Sequence, residues 1–417
     1  MKIGIIGGGI AGLATAWLLE QEHEVVLFEK NNFFGGHAQT IYLEEKGKSI
    51  PIEIGFEFFN ERMYPHFCSL LKILSVPTTI YPFTYSFFSQ HSSSVYVLPP
   101  IQGHKIFWHT LTPLKILALL QLKKTIHEGI KLIQSKEKLI TLDEFAKEAK
   151  ISSSFMRNFF YPLFSAGWGV NYEEFATFSA YNVLAYIVKN KPIGLQPSYW
   201  YQITAGMTYY INKLVHNLTK THLYSSTSAE HIYYENGKYV IEASKKRILV
   251  DHLIIATDAH KTGDLLRNIS HTTTLRNTIK TLDYIPATLA IHEDRRFMPP
   301  CPRDWSVANV WQNNNFSTLT IFKNKPTKNP CFRSWLLPEF PEPKTIHAIQ
   351  HYHHAKPNKN YFKTQEIIAL EQGKNNLWVA GLYTNDIDSH ESALNSAIYI
   401  AQQLAPTSER LKKLLAL

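Results

Sequence analysis

Cysteine is scarce. Three residues, Cys68, Cys301 and Cys331, are spread over 417 positions and odd in number. That excludes a disulfide framework and a zinc ribbon and points to a reducing compartment, so a cytoplasmic location is expected. Charge is also thin, at 18% of residues, and basic groups outnumber acidic ones 43 to 34. No basic stripe with interleaved aromatics occurs, so no nucleic-acid partner is expected. No apolar run reaches the length that crosses a bilayer. The first twenty residues imitate a secretion signal, with Lys2 before an apolar run. Gly7, Gly8, Gly9 and Gly12 interrupt that run, Glu20 closes it, and no clear small-residue cleavage site follows. Internal repeats and low-complexity tracts are absent.

What the chain has instead is a folded composition, 45% hydrophobic with 13% aromatic residues. Its length suits two domains or one interleaved pair. The aromatic share fits large apolar cavities or interfaces, and a thick core would use the same residues. A net charge of +9 favours nucleotides or acidic lipid surfaces, although scattered lysines also serve solubility. Histidine is plentiful, and "HYHHAKP" (351–357) invites a metal reading. No carboxylate or cysteine lies at ligand spacing beside it, so a polar loop is expected.

The N-terminal stretch "KIGIIGGGIAGLATAWLLEQEHEVVLFEK" reads as strand, glycine turn, helix and second strand. Gly7, Gly9 and Gly12 stand at G-x-G-x-x-G spacing. The first glycine permits the tight turn, and the second lets backbone approach a pyrophosphate. The third lets the helix pack close to the sheet. Glu29 ends the second strand seventeen residues past the third glycine (29 − 12), where an acid accepts hydrogen bonds from a ribose. Strand, turn, helix and acid together point to a bound dinucleotide.

Directly after that acid comes "GGHAQT" (35–40). Here the chain resembles the flavin superfamily of monoamine and polyamine oxidases, protoporphyrinogen oxidase and phytoene desaturases, whose loop reads Gly-Gly-Arg-x-x-Ser/Thr. Closer still, it is similar to a bacterial group of NAD/FAD-binding, amine-oxidase-type proteins. These carry a GGH loop, an acid-x-Gly-Phe segment and an Asn-Glu-Arg-x-Tyr-Pro signature, which "IEIGFEFFNERMYPHF" (52–67) nearly completes. The likeness extends to "FMPPCPRDWS" and to the C-terminal "NNLWVAGLYTNDIDSHESALNSAIYIAQQL", and it fades between about 85 and 195.

The resemblance implies an α/β fold: a Rossmann-like FAD-binding domain of the GR2 type interleaved with an α+β substrate domain. Residues 1–80, 200–270 and 365–417 would build the first, and 81–199 and 271–364 the second. It implies noncovalent FAD held by Gly7, Gly9, Gly12, Glu29, Gly35, Gly36, His37, Thr40, Gly55 and Phe56. Ala229 would lie by the adenine, Ala256 by the pyrophosphate, and Gly381 at the end of a strand. The amides of Ser392, Ala393 and Leu394 would face the pyrimidine ring. His37 replaces the family's arginine and is charged only below its ordinary pKa of about 6.5. A covalent histidyl-flavin link at His37 is the less expected alternative. Between the nucleotide segments, "EHIYYENGKYVIEA" reads as a hairpin turning at Asn236-Gly237.

Amine oxidases of this type place a lysine near the flavin. The equivalent position in "YIPATLAIHEDRRFMP" is Thr288, and the C-terminal segment lacks the cysteine that monoamine oxidases link to flavin. An apolar, lipid-like substrate undergoing desaturation or redox isomerisation is therefore the leading expectation. A peroxide-producing amine oxidase and a non-enzymatic lipid binder like the Rab GDP-dissociation inhibitors are the rivals. Trp305, His354 and Tyr383 are candidate pocket residues, and no general base is assigned. The segment 107–139 is expected to form a pocket-lining helix pair or a surface that lies on anionic lipid.

Overall fold

The computed structural model describes every residue except 90–91, 192–197, 245, 324 and 417. Lys2–Ile6 is the middle strand of a five-stranded parallel sheet. Its neighbours are Glu24–Phe28 and then His222–Tyr224 on one side, and His252–Ile255 and then Leu377–Val379 on the other. Three separated stretches of chain thus share one Rossmann-like sheet, and their buried Ile, Val and Leu runs are what a two-sided parallel sheet demands.

All ten residues of helix Ile10–Leu19 are buried. The sheet covers one side and helix His390–Leu404 another, so the helix is apolar all round. That burial explains its likeness to a secretion signal. Glu20, which ends it, is a buried clamp. It accepts the amides of Thr219, Lys220 and Thr221 at 3.2, 3.0 and 3.0 Å and the Arg410 guanidinium at 2.7 Å. The hairpin of Ala229–Glu235 and Lys238–Ala243 turns at Asn236 (φ 49°) and Gly237 (φ 79°), both left-handed as a tight hairpin requires.

A seven-stranded sheet lies beyond, in the order Ile346–Ala355, Tyr284–His292, Phe332–Leu336, Phe316–Phe322, Ala308–Asn313, Tyr85–Ser89 and Ser92–Leu98. Helices including Pro113–Ser135 and Ala180–Asn190 pack around a separate aromatic core beside it. Two expectations are corrected. The histidine run is no loop: His351 to Ala355 finish an edge strand, with Tyr352 buried and His351 and His353 exposed. Alternation within the histidines carried the strand signal, and their polarity hid it. Segment 107–139 forms one helix of 23 residues, not a pair, because nothing between Pro113 and Ser135 breaks it.

Candidate active site

The glycine turn is built as its chemistry requires. Gly7 (φ 111°) packs so closely on Ala256 that a Cβ would meet the Ala256 carbonyl oxygen at 2.4 Å. Gly9 caps helix Ile10–Leu19 without a side-chain bond, and the space where its Cβ would sit is open to 4 Å. An uncapped helix N-terminus facing open space is a ready anion cradle. Glu29 stands behind it, accepting the Gly8 amide at 2.7 Å and the Asn31 amide at 2.8 Å, and each oxygen keeps a lone pair for a ribose hydroxyl. Ala229 begins two residues past Thr227, whose amide donates to the Glu29 carbonyl at 2.8 Å.

The loop from Gly35 closes over this turn. The Gly35 amide donates to the Gly8 carbonyl at 2.8 Å, and a Cβ on Gly36 would lie 3.4 Å from the Gly9 Cα. Thr40 anchors the loop. Its hydroxyl donates to Glu53 at 2.8 Å, and its amide donates to the Thr208 hydroxyl at 3.0 Å. Glu53 also accepts the Met207 amide at 3.2 Å, at the start of helix Met207–His216. Burial, with the Glu57 charge nearby, pushes the Glu53 carboxyl up to about 7. Glu57 pairs with Lys323 and, at 3.1 Å, with Arg333, and these cations hold its pKa low against its burial.

His37 faces the seven-stranded sheet. Its ring lies 4.7 Å from that of Tyr352 and 6.0 Å from that of His354. The imidazole keeps an open edge, yet the protein packed round it lowers its pKa, against the pull of Asp258. His354 is held down to about 3 by burial and by His37, so it is neutral at physiological pH. Trp335 stands 5.2 Å from it. Arg333 donates to the Gly55 carbonyl at 2.8 Å, fixing the acid-x-Gly-Phe segment against the same sheet. Thr288 points the other way, its hydroxyl 3.0 Å from His351 on the outer face. Strand alternation puts Ala287 and Leu289 on the inner face, beside Tyr352. No lysine occupies either inward position.

Helix His390–Leu404 brings its N-terminus to the same place. Phe56 stacks on His390 at 4.3 Å, and the Tyr210 hydroxyl meets His390 at 2.9 Å. Ser389 caps this helix. The Ser392 amide donates to the Ser389 hydroxyl at 3.1 Å and the Ala393 amide to its carbonyl at 3.2 Å. Leu394 is fully buried one position further along. Among the described residues, the amides of His390 and Glu391 at the tip have no such partner. Gly381 (φ 146°) donates its amide to Ser396 at 2.9 Å and so docks the preceding strand on the helix. Glu391 accepts the amides of His66 and Phe67 at 2.8 and 3.0 Å, which gives "NERMYPHF" its purpose: it seats this helix. Asp388 accepts Trp168 at 2.9 Å and Asn182 at 2.8 Å, tying the tip to the helical layer.

Residues 10–319 match the family described as flavin containing amine oxidoreductase, well over half the chain. The chain belongs to that family. Its fold is shared with a conjugated-linoleic-acid-producing fatty acid isomerase from P. acnes (TM-score 0.72, 14% identity, 97% of this chain and 98% of that one). It is shared as well with cyclohexylamine oxidase from Brevibacterium oxydans (TM-score 0.68, 15% identity, 97% and 99%). In sequence, zeta-carotene desaturase of Capsicum annuum is 40% identical over 60 residues, 14% of this chain and 10% of that one. The curated relatives are thus matched over only about a tenth of their length.

In this member of the family the three pocket candidates part company. His354 reaches the site. Tyr383 does not: its ring is buried in the core around the parallel sheet, with its hydroxyl 2.9 Å from Thr262. This pocket candidate, on the turn Leu382–Thr384 after strand Leu377–Val379, is a packing position. Trp305 lines a different cleft of about 420 Å³, walled by Tyr81, Pro82, Thr84, Tyr199 and Val307. Phe58, Phe83 and Trp200 cluster with cleft-lining Val307 and Tyr81, Phe58 meeting Phe83 edge-on at 4.9 Å and Phe83 stacking on Trp200 at 4.7 Å. Tyr352, Trp335, Arg333 and His390 escaped sequence reasoning, since each reaches the site only through sheet register or helix docking.

Proposed function

We propose that this oxidoreductase binds FAD noncovalently and abstracts hydride from an apolar, lipid-like substrate, in a desaturation or a redox isomerisation. The observation that carries the binding is the uncapped turn at Gly9, open where a side chain would be and backed by the Gly35–Gly36 loop. Glu29 and Ala229 would hold the adenosine half, and Gly7, Gly12 and Ala256 shape the turn. His37 would donate to the pyrophosphate, whose charge restores the proton affinity that packing removes. The His390 and Glu391 amides, more than those of Ser392 to Leu394, would meet the far end of the ring. When bound, FAD supplies the hydride acceptor.

The chain's own residues supply shape and dryness. Gly55, Phe56, Tyr352, His354 and Trp335 form the wall, and neutral His354 can hold one proton for a hydrogen bond without placing a charge there. Ala287 and Leu289, the inward-facing neighbours of Thr288, are apolar and favour an apolar substrate, as does the aromatic-walled cleft of about 420 Å³. A shared fold with a fatty acid isomerase adds compatibility only. We assign the domain boundaries as expected from sequence, a cytoplasmic location on the strength of three free cysteines, and a peripheral contact with membrane.

The test is the visible spectrum of the purified protein with identification of the nucleotide released on denaturation. Yellow protein releasing FAD is expected, and His37→Ala should retain less of it. Colourless protein would favour a lipid carrier, and peroxide release on adding amines would favour amine oxidation.

A further inference from the structure

Helix Pro113–Ser135 buries one side only. Lys115, Thr125, Gly129 and Leu132 face inward. The outward side divides into two zones. Leu114 (80% exposed), Ile116, Leu117 (58%) and Leu120 (57%) occupy the first two turns, and Trp108 (71%) stands on the turn just before them. The next turns expose Lys123, Lys124, His127 and Lys131, of which Lys131 pairs with Glu128 at 2.9 Å and Lys124 donates to the Lys150 carbonyl at 2.6 Å. No acidic residue occurs from Pro113 to His127. Lys115, the only cation within the apolar zone, turns inward, giving its ammonium to the carbonyls of Val95 at 2.8 Å and His109 at 2.9 Å. A water-facing helix would place charge where these leucines stand, and a contiguous exposed apolar patch marks a contact surface.

The patch adjoins the cleft. Lys105, just before Trp108, donates to the Arg303 carbonyl at 3.1 Å, and His109 lies 3.5 Å from Asp304, next to cleft-lining Trp305. On the cleft's other wall Tyr199 is exposed as well, as is Ile80 on the strand paired with it. Among the described residues no helix is long and apolar enough to cross a membrane, so contact here would be peripheral.

We propose that this face docks on an anionic lipid bilayer. Trp108, Leu114, Ile116, Leu117 and Leu120 enter the boundary between headgroups and acyl chains, while Lys123 and Lys124 meet the lipid phosphates. Apolar tip and basic band in that order are the pattern of an interfacial helix. A second copy of this chain is the weaker occupant, since it would set one basic band and a +9 charge against another. Docking stands on exposure and charge; delivery of an acyl chain into the cleft rests on the proposed function.

The experiment is sedimentation of the purified full-length protein with phosphatidylcholine vesicles, with and without phosphatidylglycerol. Binding is expected to the anionic vesicles, weakened about tenfold or more by high salt or by omitting phosphatidylglycerol. The pair Leu114→Asp and Leu117→Asp should abolish it with the melting temperature and flavin content unchanged. Lys123→Gln with Lys124→Gln should remove most of the salt dependence. Absence of binding to anionic vesicles overturns the proposal, as does unchanged binding in the aspartate pair. A dimer that the aspartate pair converts to monomer would assign the face to self-association instead. Vesicle binding is read without turnover, so colourless protein that sediments sinks only the proposed function.

Discussion

The carbonyl oxygen of His37 lies 2.0 Å from where a Cβ on Gly55 would stand. Gly55 is glycine because another stretch of backbone fills its side-chain space, and the neighbouring Phe56 amide donates to that same carbonyl at 3.2 Å. This contact locks the loop that covers the glycine turn to the segment that walls the candidate site. Gly55→Ala must push the two apart. The expected cost is about 1–3 kcal/mol of stability, with weaker flavin retention, read by thermal melting and by the ratio of flavin to protein absorbance. A variant that melts and retains flavin like wild type would show that the loop yields freely.

Gly9 and Gly12 separate binding from folding. A Cβ on Gly9 meets nothing within 4 Å, and its backbone (φ −76°, ψ −178°) suits any residue. A Cβ on Gly12 would lie 1.9 Å from the Gly7 carbonyl oxygen. Gly9→Ala should therefore lose flavin and melt like flavin-free wild type, whereas Gly12→Ala should lose stability beyond that. If Gly9→Ala keeps its flavin, the open space is not cofactor space.

Glu53 should impose a pH slope on stability. Its carboxyl titrates near 7 in the folded protein and near 4.5 when unfolded. Between those values the folded form holds a proton that the unfolded chain has released. Its contribution is thus fully present below about 4.5 and declines as pH rises toward about 7, by at most about 1.4 kcal/mol per pH unit. Glu53→Gln does not titrate. Melting temperatures of variant and wild type should diverge across that window and run parallel above it. The opposite slope expected from His354 and His390, both held near 3, is common to the two proteins and cancels. Curves that stay parallel throughout would mean Glu53 is ionised at ordinary acidity.

Arg410 pins the last helix to the first. Besides Glu20 it donates to the carbonyls of Trp17 at 2.7 Å and Asn217 at 3.1 Å. Arg410→Ala leaves a buried carboxylate without its cation, and a loss of about 2–4 kcal/mol is expected in chemical denaturation. Combining it with Glu20→Gln should recover part of that loss, because the two changes are coupled. Strict additivity would place the effect elsewhere.

The nucleotide half of the fold was legible because its signals are local. Gly7, Gly9, Gly12 and Glu29 lie within one strand–helix–strand unit, and their spacing is set by a turn that forms wherever such a unit forms. The hairpin at Asn236-Gly237 was legible for the same reason. Thr288 was placed by its motif and not by its face, and only the register with His351 shows it turned outward. The histidine strand was misread because its outward positions are polar and its inward ones also histidine or tyrosine. Tyr383 was misjudged because a residue beside a strand end can point into the core as easily as into a pocket.

From sequence alone came the family, the α/β class and the glycine turn, since each rests on neighbours along the chain whose spacing backbone geometry dictates. Only the tertiary structure joined His37 to Tyr352 and His354, Glu391 to the amides of His66 and Phe67, and Trp305 to a cleft apart from the glycine turn. Those pairings depend on sheet register and helix docking, which many distant packing contacts decide together and no short stretch of residues records.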